Sequence, residues 1–187
     1  NYYKLMDKFI IEGGTPLNGD VEISGAKNAV LPIMAATIIA PGEYRLNNVP
    51  ALQDTYTMKR LLEMIGATIH YKHNTMDIDT THCNNPVAPY DLVKTMRASF
   101  YVLGPLLSRF KYAEVSLPGG CAWGPRPVNY HLKAMEALGA EVELCDGMII
   151  AKGNLKGARI NMEQSSVGAT GNALMAAVNL EGTTNIT

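Results

Sequence analysis

Cys121 stands in SLPGGCAWGPRPVNYHL (Ser116 to Leu132), where strand-forming residues give way to a Gly- and Pro-rich loop and then to a helix beginning near Pro127. Proline is favoured at a first helical position. A nearby cation (Arg126) and a helix N-terminus both lower a thiol pKa. Gly119, Gly120 and Gly124 allow close backbone approach to an anion. The competing reading is a small cysteine filling a tight turn; Trp123 reads as loop packing. In SGAKNAVLP (Ser24 to Pro32), Ser24 is placed to cap a helix whose first turn holds Lys27 and Asn28. Lysine is unfavourable there because the macrodipole is positive, and a bound anion reverses that penalty; a solvent-facing lysine is the alternative. SSVGATGNALMAA (Ser165 to Ala177) repeats the device, with Ser166, Val167 and Gly168 able either to offer N–H groups to a phosphate or simply to cap the helix. Arg97 is either a phosphate clamp or a snorkelling side chain. His131 falls one turn into the helix after the cysteine loop, where a satisfied core histidine is the default. No Walker loop, GxGxxG fingerprint or Ser-His-Asp order occurs. Gly-Gly beside a thiol also suits a cysteine hydrolase, so these residues leave the reaction open.

The elements that must position them repeat along the chain. RLLEMIGATIHY (Arg60 to Tyr71) and HLKAMEALGAEVEL (His131 to Leu144) share an amphipathic helix, a Gly and an alternating strand, with Gly66 and Gly139 separated by 139 − 66 = 73 residues. Each glycine sits where a helix end needs a left-handed residue. MAATIIAPGEYRL (Met34 to Leu46) and MAAVNLEGTTNI (Met175 to Ile186) echo each other at 175 − 34 = 141 residues, close to twice the first offset. Two and a half copies of one unit are expected. Asp54 is expected to cap one helix, Asp91 another running through Met96 to about Leu107 with its end bent by Pro105, and a further helix follows Pro127 with Val128, Leu132, Met135 and Leu138 inward. Strands are expected at Val21–Ile23, Tyr44–Leu46, Thr68–Tyr71, Met76–Ile78, Glu114–Leu117, Val142–Leu144 and Met148–Ala151, with Asp146-Gly147 turning a hairpin. Helices alternating with hairpins imply α/β mixed sheets covered by helices.

Composition excludes several classes. A formal net charge of −1 over 187 residues gives no electrostatic footprint for nucleic acid or an anionic membrane. The longest apolar run, Ala29 to Ala40, contains Pro32 and has the length of a buried helix. Cys83, Cys121 and Cys145 show no disulfide or zinc spacing, which fits a reducing cytosol and no metal site. Met6-Asp7-Lys8 reads as a natural start, so residues 1 to 5 are expected to be foreign. The final strand-like run is expected to continue in a longer polypeptide.

SGAKNAVLPIMAA, KTMRASFYVLGPLL, LPGGCAWGPRPVNYHL and SSVGATGNALMAA occur in this order. Together they resemble the enolpyruvyl transferase family, in its branch acting on a UDP-amino sugar, over almost the whole chain from Met6. The resemblance implies an inverse α/β barrel of two similar domains, each of three βαβαββ units. Residues 22–187 would form most of the first domain, and residues 1–21 an N-terminal segment associated with the second, which this chain lacks. It implies transfer of the enolpyruvyl group of phosphoenolpyruvate to the 3′-hydroxyl of UDP-N-acetylglucosamine with release of phosphate, the first committed step of peptidoglycan synthesis, in the cytoplasm and without a cofactor. By matching position, Lys27, Asn28 and Arg126 would hold phosphoenolpyruvate, with Arg97 in the cationic surroundings and at the nucleotide sugar. Cys121 would protonate the enol carbon, form a covalent adduct and be the fosfomycin target. Arg126, Pro127, Val128, Asn129, Tyr130, Gln164, Ser165, Ser166, Val167 and Gly168 would contact UDP-N-acetylglucosamine, with His131 supporting. Gln164 stands where some relatives carry Lys. The missing domain would supply the base, so the isolated fragment is expected to be inactive. The shikimate-pathway enolpyruvyl transferase is the nearest rival, but it would need a Lys-Ser anion site and lacks the Gly-Gly-Cys loop; a non-catalytic binding module has no use for a reactive thiol.

Overall fold

The helix–glycine–strand plan is realised twice in the computed structural model, which describes residues 8–117 and 128–187. The first copy runs α1 (Lys27–Ala36), β1 (Glu43–Leu46), α2 (Gln53–Ile65), β2 (Thr68–Lys72) and β3 (Thr75–Asp79). The second runs β4 (Val87–Ala88), α3 (Tyr90–Val93), a 3-10 segment (Arg97–Val102), α4 (Leu103–Phe110), β5 (Tyr112–Ser116), α5 (Asn129–Ala137), β6 (Glu141–Cys145) and β7 (Met148–Lys152). The third comprises β8 (Arg159–Ile160), α6 (Val167–Ala177) and β9 (Asn185–Ile186).

Strand order makes the repeat explicit. The second copy forms a mixed sheet β4-β5-β7-β6 in which β4 and β5 are parallel and the other pairs antiparallel. That is a complete βαβαββ unit. The first copy keeps β1-β3-β2 in the same antiparallel order, and the third keeps the opening parallel pair β8-β9. Equivalent strands recur at 148 − 75 = 73 residues for β3 and β7, and at 159 − 87 = 72 for β4 and β8. The expected strand at Val21–Ile23 would complete the first copy, but this segment is unpaired coil and both side chains are exposed. Without a neighbouring strand to pair with, the exposed backbone of this segment is left to water and no ladder forms.

Helix termini depart from expectation in instructive ways. The cap of α1 is Ala26, not Ser24. The cap of α2 is Leu52, and Asp54 lies inside the first turn, where a carboxylate complements the macrodipole. The helix expected after Asp91 is broken: Pro89 caps the single turn of α3, Asp91 pairs with Lys94 at 2.6 Å, and Met96 is extended (φ −147°, ψ 108°) before the 3-10 segment begins. Pro105 does not bend the end of α4. It sits in that helix's first turn, where a missing N–H costs nothing.

Leu103 to Ser108 of α4 are all buried, so this helix is the hub, in contact with α6 and β5. Met34 of α1 and Ile38 just beyond it, Met58, Leu61, Leu62 and Ile65 of α2, and Met135 of α5 join the same core at 0 % exposure. Full burial of each such side chain contributes about 2 kcal/mol. The Asp146-Gly147 turn has φ of 49° and 77°, the double left-handed geometry that closes a twisted hairpin. His73-Asn74 closes the β2–β3 hairpin in the same way (φ 50° and 57°) without a glycine to announce it. No helix of the described residues is long and apolar enough to cross a membrane.

Candidate active site

One cleft of about 330 Å³ lies where the helices of the three copies converge. Lys27 and Asn28 enter from the first turn of α1, Asp54 from α2, Arg97, Phe100 and Tyr101 from the 3-10 segment, His131 from α5 and Gly168 from α6. Leu31, Met96 and Ala98 complete the lining. Of the residues singled out in the sequence, Lys27, Asn28, Arg97, His131 and Gly168 are thus brought together from four separate segments. Cys121, Arg126 and Pro127 lie outside the described residues.

Local structure explains how each is held. The Gly25 N–H donates to Asn48 Oδ1 at 3.0 Å, and a Cβ on Gly25 would lie 1.8 Å from the Asn48 carbonyl oxygen. Only glycine permits that approach, which ties the start of α1 to the loop after β1. Lys27 is then the first helical residue, and its Nζ lies 3.1 Å from Asp54 Oδ2 with the lysine side chain half exposed. The unfavourable lysine at a positive helix end therefore has a fixed carboxylate beside it, which the sequence reading of Asp54 as a cap did not anticipate. An exposed pair of this kind contributes well under about 1 kcal/mol to stability, so its effect is to orient the ammonium.

His131 is 5 % exposed and meets the Phe100 ring edge-on at 4.9 Å between centroids. Burial, and secondarily the positive charge of Arg97, push its pKa down to about 4 from 6.5. It is a neutral imidazole at physiological pH. Burial likewise raises the Tyr101 phenol, opposed by Arg97. Ser166 caps α6, its Oγ accepting the Ala169 N–H at 3.3 Å, so of the two readings of that serine the capping one is visible. Gln164 and Ser165 are exposed in the preceding loop, and Val167 is exposed at the first position of α6. Val128 caps α5 and packs half-buried against the core, while Asn129 is exposed and Tyr130 half-buried in the first turn. The residues missed by sequence reasoning are Asp54, Tyr101 and Asn172. Asn172 left a signal: a lone amide directly before the apolar run ALMAA (Ala173 to Ala177).

A repeated βαβαββ plan with Lys27 and Arg97 at helix starts around one cleft fits an enolpyruvyl transferase fold, and the chain belongs to the family described as EPSP synthase (3-phosphoshikimate 1-carboxyvinyltransferase), whose model matches residues 11–187. Within that family, it is 55% identical over 97% of its length to UDP-N-acetylglucosamine 1-carboxyvinyltransferase of Chlorobium phaeovibrioides and 56% identical, again over 97%, to the protein of the same name from Acinetobacter baylyi. The chain spans 44% of the length of each. The enolpyruvyl transferase NikO from Streptomyces tendae superimposes with a TM-score of 0.78 at 26% identity, covering 93% of this chain and 41% of that one. EPSP synthase from Acinetobacter baumannii shares the fold (TM-score 0.72, 20% identity, 90% of this chain and 40% of that one).

Proposed function

We propose that the protein transfers the enolpyruvyl group of phosphoenolpyruvate to the 3′-hydroxyl of UDP-N-acetylglucosamine, releasing phosphate, and so opens peptidoglycan synthesis in the bacterial cytoplasm. The observation that carries this reading is the convergence of Lys27, Asn28, Arg97, His131 and Gly168 on one cleft. The amino-sugar acceptor is favoured over shikimate 3-phosphate by the 52% to 56% identity to relatives bearing the amino-sugar name, against 20% for the solved shikimate enzyme.

The chemistry is addition followed by elimination. The sugar 3′-oxygen bonds to C2 of phosphoenolpyruvate as its proton leaves to a base and C3 gains a proton from Cys121. From the tetrahedral adduct, C3 then loses a proton, the double bond reforms and the C2–O bond to phosphate breaks. Charge grows on phosphate as it departs, and fixed cations stabilise it best in a site closed to water. Lys27 and Asn28 at the start of α1, with Arg126, fit that task; Arg97 fits the boundary between phosphoenolpyruvate and the nucleotide. Pro127, Val128, Asn129 and Tyr130 beside α5, and Gln164, Ser165, Ser166, Val167 and Gly168 at the start of α6, would hold UDP-N-acetylglucosamine. Residues up to 21 would pack with a second domain that contributes the base, which leaves these 187 residues inactive alone.

Cys121 supplies the test. Its thiol can add across the double bond of phosphoenolpyruvate, sulfur to C2 and its proton to C3, and its thiolate is open to alkylation by the epoxide fosfomycin. Incubating the native-length protein with fosfomycin and UDP-N-acetylglucosamine at pH 7 is expected to give a single mass adduct mapping to Cys121, absent from Cys121→Ala. An unmodified Cys121 under these conditions counts against its catalytic role.

A further inference from the structure

Asn172 sits at 0 % exposure in the middle of α6, with an amide that has no access to water. Its Oδ1 accepts the Gly104 N–H at 2.7 Å, and its Nδ2 donates to the Phe100 carbonyl at 2.9 Å. These two backbone partners settle which way the amide points, because an N–H can only donate and a carbonyl can only accept. The same Nδ2 lies 3.1 Å from His131 Nδ1. Its second proton is therefore aimed at that ring nitrogen, which must accept. A neutral imidazole accepting at Nδ1 carries its one proton on Nε2.

His131 lines the cleft and its Nε2 lies on the side of Gly168, where a Cβ would come within 3.2 Å of it, so the glycine leaves room beside that nitrogen. We propose that Asn172 is a positioning residue, fixing His131 as the Nε2–H tautomer so that the cleft offers an uncharged acceptor oxygen of the nucleotide sugar a neutral hydrogen-bond donor; this rests on reading the cleft as the nucleotide-sugar site. A neutral donor suits a hydroxyl or acetamido oxygen, while phosphate is better matched by a guanidinium.

The electrostatic surroundings agree. Arg97 and Tyr101 approach from the 3-10 segment and Lys27 and Asp54 line the cleft from α1 and α2. α6 has no ionisable side chain. Tyr130, Lys133 and Glu136 on α5, with Glu141 and Glu143 on β6 and Arg159 on β8, are exposed or half-buried. Burial and Arg97 together disfavour the imidazolium.

Selective 15N-histidine labelling of the native-length protein, read by long-range proton–nitrogen correlation, reports the tautomer directly. The histidine whose signal vanishes in His131→Gln is expected to be the Nε2–H form and to stay neutral down to about pH 5. An Nδ1–H form, or titration near 6.5, overturns the proposal. In Asn172→Asp the carboxylate can only accept, so Nδ1 gains a proton and His131 titrates near neutral pH. The Kd for UDP-N-acetylglucosamine then acquires an inflection there of about tenfold, the span of one pKa unit of coupling; a folded Asn172→Asp protein with the wild-type tautomer and a flat Kd also overturns it. The wild-type spectrum decides alone if the aspartate prevents folding. If His131 shows the expected tautomer and the wild-type protein does not bind the nucleotide sugar, the functional reading fails and the role of Asn172 in fixing the tautomer stands.

Discussion

His131 illustrates how far a single residue could be read in advance. Its place one turn into a helix made a satisfied core histidine the default, and it is one: buried, edge-on to Phe100 and bonded to Asn172. It also borders the cleft, which the helical register alone did not decide between. Its pKa near 4 has a consequence for stability. Between pH 6.5 and 4 the unfolded chain takes up a proton that the folded chain refuses. Stability is therefore present above pH 6.5 and lost as pH falls toward 4, by about 3 kcal/mol for this group. Urea unfolding at pH 7 and pH 4.5 is expected to show a steeper loss for the wild type than for His131→Gln. Parallel losses in the two proteins would mean that His131 is charged in the fold. Asp54 is the converse case: an acidic residue before an apolar run reads as a cap, whereas its contact with Lys27 depends on the packing of α1 against α2.

At the scale of elements, long periodic segments were legible and short pairings were not. The amphipathic stretch opening RLLEMIGATIHY announced α2, and Asp-Gly announced the β6–β7 turn. The two-residue strands β4, β8 and β9 have too few side chains to show a period; their parallel pairing across intervening helices is set by tertiary packing. The break at Met96 went unseen because Leu92, Val93, Met96 and Phe100 continue at helical spacing through it, and burial on all sides of α4 erases the periodicity that would mark a new helix. Gly66 and Gly139 were read correctly as left-handed helix ends, with φ of 112° and 99°. They differ in crowding. A Cβ at Gly66 would meet Cys83 Cα at 3.1 Å and the His82 carbonyl oxygen at 3.2 Å, whereas the nearest atom to one at Gly139 is 3.8 Å away. Gly139→Ala is expected to cost about 1 kcal/mol, the conformational penalty alone, and Gly66→Ala clearly more. Equal midpoint shifts in urea would show that the Gly66 contacts yield without cost.

On the scale of the whole molecule, the repeat was the strongest message of the sequence, because offsets near 73 and 141 residues can only recur if one unit recurs. The candidate site was half legible. Cationic helix starts could be named, and their convergence could not, since it follows from how three copies pack. Phe9, Ile10, Ile11, Leu17, Val21 and Ile23 are each at least 76 % exposed, an apolar density that favours cover by further polypeptide. That supports the proposal of a second domain, as does a span of 44% of the relatives' length.

The central claim is the reaction and its acceptor, and phosphate release by the native-length protein tests it most directly. Phosphoenolpyruvate with UDP-N-acetylglucosamine is expected to release phosphate and give a nucleotide sugar heavier by one enolpyruvyl group, while phosphoenolpyruvate with shikimate 3-phosphate is expected to release none. Phosphate release with shikimate 3-phosphate, and no modified nucleotide sugar in the other reaction, would contradict it.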